Sequence, residues 1–68
     1  MLPFEEIIYL LLCEKLKSTR WRRVGKVEER SKGLMNIHKN YIRLYQKHLS
    51  AEQIAESLFI YDRNLNLP

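Results

Sequence analysis

Sixty-eight residues, 46% of them apolar, with one cysteine and a net charge of +4, make one small domain with enough hydrophobic matter for a packed core. The single cysteine, Cys13, excludes an intrachain disulfide, and an apolar content this high excludes a disordered tail. The charge is polarised: eleven lysines and arginines lie between Lys15 and Lys47 against Glu28 and Glu29, while both ends carry mainly acids.

The expected fold class is all-α: a small three-helix domain, with a short fourth helix near 20–30 as an option. The first helix is expected over about 3–17. Pro3 suits a helix start because its missing N–H has no partner there. Glu5 and Glu6 then fall in the first turn and Lys15 and Lys17 in the last, each sign favoured by the helix dipole. Phe4, Ile7, Ile8 and Leu11 form one apolar stripe, and Tyr9, Leu12, Cys13 and Leu16 form a second beside it. An arc this wide exceeds the ~100° that a one-sided surface helix needs. It predicts either a central position for this helix or a homodimer through it.

Residues 18–30 read as a basic connection. Ser18 and Thr19 are stop or cap residues, and Gly25 and Gly33 are weak breakers. Trp21, Val24 and Val27 recur every three residues, which is the case for the short extra helix; a loop is the rival reading.

The strongest periodicity follows. Leu34, Ile37, Tyr41, Leu44, Tyr45 and His48 share one helical face, which Met35, His38, Ile42 and Leu49 widen, while Asn36, Lys39, Asn40, Arg43, Gln46 and Lys47 share the other. This predicts one amphipathic helix over about 31–49. Ser50-Ala51-Glu52-Gln53 then matches a capping box, so a third helix is expected over 51–60, with 62–68 as a tail. The expected core is Phe4, Ile7, Ile8, Leu11, Leu34, Ile37, Tyr41, Leu44, Ile54 and Leu58.

Ser50 to Leu65 resembles a helix-turn-helix unit in the spacing of Ile54, Ala55, Leu58, Ile60 and Leu65. Phe59 departs from that pattern, standing where a small residue makes the turn. A single capped amphipathic helix is the simpler reading of the same residues.

Catalysis finds little support. Glu5-Glu6 and Glu28-Glu29 are adjacent pairs, which a helix points about 100° apart. No serine or cysteine has a recognisable base, and two glycines cannot form a phosphate loop. His38 and His48 stand ten apart, which is not the ligand spacing of a helical metal site. No enzyme activity, cofactor or metal is expected.

Binding is the better expectation. Arg20, Trp21, Arg22 and Arg23 set an aromatic among arginines, suited to phosphates and an unpaired base. Lys26 and Lys32 continue the basic segment. From Lys32 to Ser50 there is no acid, so Lys39, Asn40, Arg43 and Lys47 extend a docking stripe of residue types that reach phosphates and base edges. The leading expectation is therefore a small regulatory protein that binds nucleic acid. The rival is a stoichiometric adaptor or inhibitor that docks an acidic protein through Trp21 and the same basic segment. Acids precede the apolar run at Ile7–Cys13, which is too short to span a membrane, so a cytoplasmic or nuclear protein that is not secreted is expected.

Overall fold

The computed structural model describes residues 3–18 and 24–65, with backbone alone at 24, 25 and 65. The described residues form four helices and no strand: α1 (Phe4–Lys17), α2 (Val24–Ile37), α3 (Lys39–Tyr45) and α4 (Ala51–Leu65).

α1 starts after Pro3, whose extended backbone (φ −58°, ψ 151°) lets its carbonyl accept the first helical bond from Ile7 N–H at 3.1 Å. It stops at Ser18, whose hydroxyl donates to the Lys15 carbonyl at 2.7 Å. The helix packs against both α2 and α4. Ile8, Leu12, Cys13 and Leu16 are all buried, and Phe4, Ile7, Tyr9 and Leu11 pack around them. The wide apolar arc is thus accounted for by two neighbours within one chain, and it supplies no argument for a second subunit on α1.

A buried polar contact joins α1 to α2. The Cys13 thiol donates to the Ser31 hydroxyl across 3.4 Å, and both side chains are buried. Tyr9 lies at the same contact. Burial pushes its phenol above the ordinary value, helped by its side-chain hydrogen bond to Cys13 and by the negative charges of Glu28 and Glu6.

The middle of the chain departs from the sequence expectation. The helix predicted over 31–49 is two helices, and the first begins at Val24. Residues 24–30 are therefore helical, not loop, and the option of a short separate helix near 20–30 gives way to a 14-residue α2 that runs on to Ile37. Gly33 sits inside α2 in open space, where its small cost of about 1 kcal/mol relative to alanine does not stop the helix. Ser31, expected near a helix start, is mid-helix and fully buried.

The chain bends at His38 (φ −104°, ψ 23°), which lies in the sparsely occupied bridge region. The ladder survives on either side: His38 N–H donates to Leu34 O and Ile42 N–H to His38 O, each at 3.0 Å. The buried face continues from Val27, Ser31 and Leu34 to Ile42, whereas Ile37 and Leu44, both expected inside, fall to one side of it and are 70% and 66% exposed. The bend is matched by packing of the His38 ring on Tyr61, with centroids 5.1 Å apart and planes 17° apart.

α3 ends in a turn closed by Leu49 N–H on Tyr45 O at 2.8 Å. The expected capping box follows. Gln53 N–H donates to Ser50 Oγ at 3.2 Å, and Ser50 N–H donates to Gln53 Oε1 at 2.9 Å. Ser50→Ala removes one of these two bonds and is expected to cost about 1 kcal/mol, read as a lower urea midpoint with an unchanged slope.

α4 buries Ala51, Ile54, Ala55 and Leu58 and does not stop at residue 60. It runs unbroken through Phe59 to Leu65, so there is no helix-turn-helix turn at that position. Asp62, assigned to the tail on sequence, lies inside α4 and is 2% exposed. Its carboxylate accepts from Arg30 Nε at 2.5 Å and from a second guanidinium nitrogen, tying α4 to α2. Residues 66–68 lie outside the described residues.

Candidate functional site

The ten residues singled out on sequence divide into three groups. Arg20, Trp21, Arg22 and Arg23, the centre of the basic segment, lie outside the described residues. Lys26 and Lys32 are exposed on α2. At 100° per residue they point about 120° apart around that helix, with Glu29 between them. The structure therefore does not bring these two into one cluster.

The third group is Lys39, Asn40, Arg43 and Lys47, all exposed. Because Ile42 anchors α3 to the core, helical geometry sets Lys39 and Arg43 one turn apart on one flank, with Asn40 beside them. None of Lys32, Lys39, Arg43 and Lys47 meets a carboxylate among the described residues.

Two other members of the basic segment are consumed internally. Lys15 Nζ donates to Glu56 Oε2 at 2.5 Å, joining α1 to α4. Arg30 is held by Asp62. Both partners come from the acidic carboxy-terminal helix. The excess of positive charge read from the sequence is thus partly neutralised by the fold; Lys32, Lys39, Arg43 and Lys47 of the acid-free stretch stay exposed, as do Lys17, Lys26 and Arg63 elsewhere.

The opposite flank of α3 is aromatic. Tyr41 and Tyr45 stack obliquely at 4.7 Å, and Tyr61 meets Tyr41 edge-on at 6.1 Å and His38 face-on. His38 Nε2 is buried there without a hydrogen-bond partner among the described residues. Sequence reasoning assigned Tyr41 to the core and placed Tyr45 on the same helical face; Tyr41 is half-buried and Tyr45 is exposed.

Among the described residues no group of three or more histidines, cysteines and acids is placed to hold a metal ion. A shallow open groove of about 560 Å³ lies between α1 and α4, lined by Leu11, Lys15, Leu49, Glu52, Gln53, Glu56 and Ser57. Its charges are those of the Lys15–Glu56 pair and Glu52, and it holds no nucleophile with a base. No described helix is long and apolar enough to cross a membrane.

Comparison with known protein families, with characterised proteins and with solved structures finds no match to this chain. A functional reading therefore has to rest on the chemistry of its own surface.

Proposed function

We propose that the chain is a small regulatory protein that binds nucleic acid through the acid-free stretch and the basic segment before it. The observation that carries this reading is the partition of the cations. Lys15 and Arg30 are spent on internal ion pairs, while Lys32, Lys39, Arg43 and Lys47 stay exposed and unpaired with any described carboxylate. Cations without internal partners are available to displace the counterions condensed on a phosphate backbone. Arg43 adds a bidentate fork for phosphate, and Asn40 adds a donor and acceptor beside it.

The test is a salt titration. Binding of a fluorescent 20-base-pair duplex and of a single strand is followed by anisotropy from 50 to 300 mM salt. With four or five phosphates engaged, log K is expected to fall against log salt with a slope of roughly −4. Lys39→Ala with Arg43→Ala should reduce that slope by about 2 and weaken binding to all sequences alike. No binding at low salt, or a flat salt response, sinks the reading.

The second reading, a stoichiometric module that docks an acidic protein, draws on the same cations and on Trp21 as its anchor. The apolar arc of α1, which it would also use, is largely covered by α2 and α4, with Leu10 the one large apolar side chain of α1 classed as exposed. Pull-downs before and after nuclease separate the two. Partner recovery that survives nuclease and fails in Trp21→Ala favours the module; recovery that fails after nuclease favours nucleic acid.

A further inference from the structure

The buried face of α2 and α3 fixes what their outer face presents. Leu34 and Ile42 are both buried although they stand on different helices, so α3 stays nearly in phase with α2 across His38. At about 100° per residue from Leu34, the buried Val27, Ser31, Leu34 and Ile42 span about 0–80°. On the same scale Lys39, Lys32 and Arg43 fall at about 140–180°, and Asn36 and Asn40 at about 200–240°. All five are exposed. They therefore form two adjacent rows opposite the core, cations in one and asparagines in the other. No acid lies between Lys32 and Arg43; Glu29, about two turns before Asn36 on the same arc, marks the amino-terminal limit of this ridge. The rings of Tyr41 and Tyr45 lie on the flank of α3 that meets Tyr61 of α4, away from Lys39 and Arg43.

This arrangement discriminates among polyanions. Single strands are held by stacking their bases on aromatic rings set among cations, and on α3 the rings and the cations occupy different flanks. The major groove of an RNA duplex is too deep and narrow for side chains to read. The major groove of B-form DNA is about 12 Å wide and admits one helix of about 10–12 Å diameter. Asparagine matches adenine there, its amide accepting from N6 and donating to N7. We infer that the α2–α3 ridge enters the major groove of duplex DNA, with Lys32, Lys39 and Arg43 on the phosphates of one groove wall and Asn36 and Asn40 reading bases. The inference rests on the nucleic-acid reading above and adds to it the form of the nucleic acid and the residues that give sequence preference. Asn36 and Asn40 stand one turn apart, about 6 Å along the axis, so the adenines they select are about two base pairs apart at roughly 3.4 Å per pair.

The probe is a pool of DNA duplexes of about 20 base pairs, randomised over about eight central positions to exceed the span of the ridge. Selection on the full chain and sequencing should enrich adenine at two positions about two base pairs apart. By anisotropy at one salt concentration, the enriched duplex should bind at least about 10-fold more tightly than its single strand or an RNA duplex of the same sequence. Asn36→Ala and Asn40→Ala should each weaken the enriched duplex by about 5- to 100-fold and leave a scrambled duplex and the salt slope unchanged. Lys32→Ala should weaken every duplex alike and reduce the slope by about 1. All three side chains are exposed, so the helical circular dichroism spectrum should be unchanged in each variant. Duplex binding with no enriched position, or asparagine variants that match wild type, overturns the groove inference and leaves the nucleic-acid reading standing. Tighter binding of the single strand or of the RNA duplex does the same. No binding of any of the three at low salt overturns both.

Discussion

Arg30→Ala is expected to cost about 3 kcal/mol of folding stability, and Asp62→Asn about half of that. The asymmetry follows from where the two charges sit. The Asp62 carboxylate is 3% exposed, while the Arg30 side chain is 35% exposed. Removing the guanidinium takes two hydrogen-bonding nitrogens and their charge away from a carboxylate held inside the protein, and desolvation makes that expensive. Removing the carboxylate leaves a cation already near the surface, whose long stem lets it reach water. A domain of this size has only about 3–10 kcal/mol in total, so Arg30→Ala should lower the melting temperature by more than ~10 °C. Urea unfolding of both variants checks the order. Equal losses, or a larger loss for Asp62→Asn, would show that the pair is more open to solvent than its geometry indicates.

The second large effect concerns which face of the two middle helices is buried. Ile42→Ala should cost about 2–4 kcal/mol, because Ile42 is buried and its removal leaves a cavity that its neighbours fill only in part. Leu44→Ala should cost less than about 0.5 kcal/mol, because its side chain is 66% exposed. An inner face centred on Leu34, Ile37, Tyr41 and Leu44 would reverse this order. The two substitutions together are thus a stability test of helix azimuth. A large loss for Leu44→Ala with little for Ile42→Ala would turn the inner face toward Leu44.

Why the sequence misleads at this point is clear from its spacing. Leu34, Ile37, Tyr41, Leu44 and Tyr45 fit one helical face so well that the pattern predicts a single amphipathic helix. The helical period is real, but the apolar arc is wider than the buried one. Val27, Ser31, Leu34 and Ile42 lie within one arc at about 100° per residue and are buried, while Ile37 and Leu44 fall on its far edge and are exposed. Periodicity alone cannot say which part of a wide arc meets a neighbour. Asp62 misleads in the other direction. Its position between Tyr61 and Arg63, before two asparagines, looks like a solvated tail, whereas the approach of Arg30 from α2 helps to make its burial tolerable.

The candidate site was legible to the extent that it depends on composition alone. The absence of acids from Lys32 to Ser50 is a fact of sequence, and the exposure of Lys39, Asn40, Arg43 and Lys47 agrees with it. Which cations stay unpaired was not legible. Lys15 and Glu56 are 41 residues apart and Arg30 and Asp62 are 32 apart, so their pairing waits on helix packing.

What the sequence alone determined is local. It set the all-helical class, the start and end of α1, the Ser50–Gln53 cap and the apolar faces of α1 and α4, because caps, charges in first and last turns and 3.6-residue periodicity act within a few neighbours. Tertiary structure decided the rest: α1 as the helix between two others, the choice of the arc that buries Ile42 and leaves Leu44 outside, and the two ion pairs that quench part of the basic segment. Those outcomes depend on contacts between residues far apart in the chain, whose energies exist only once the helices have met.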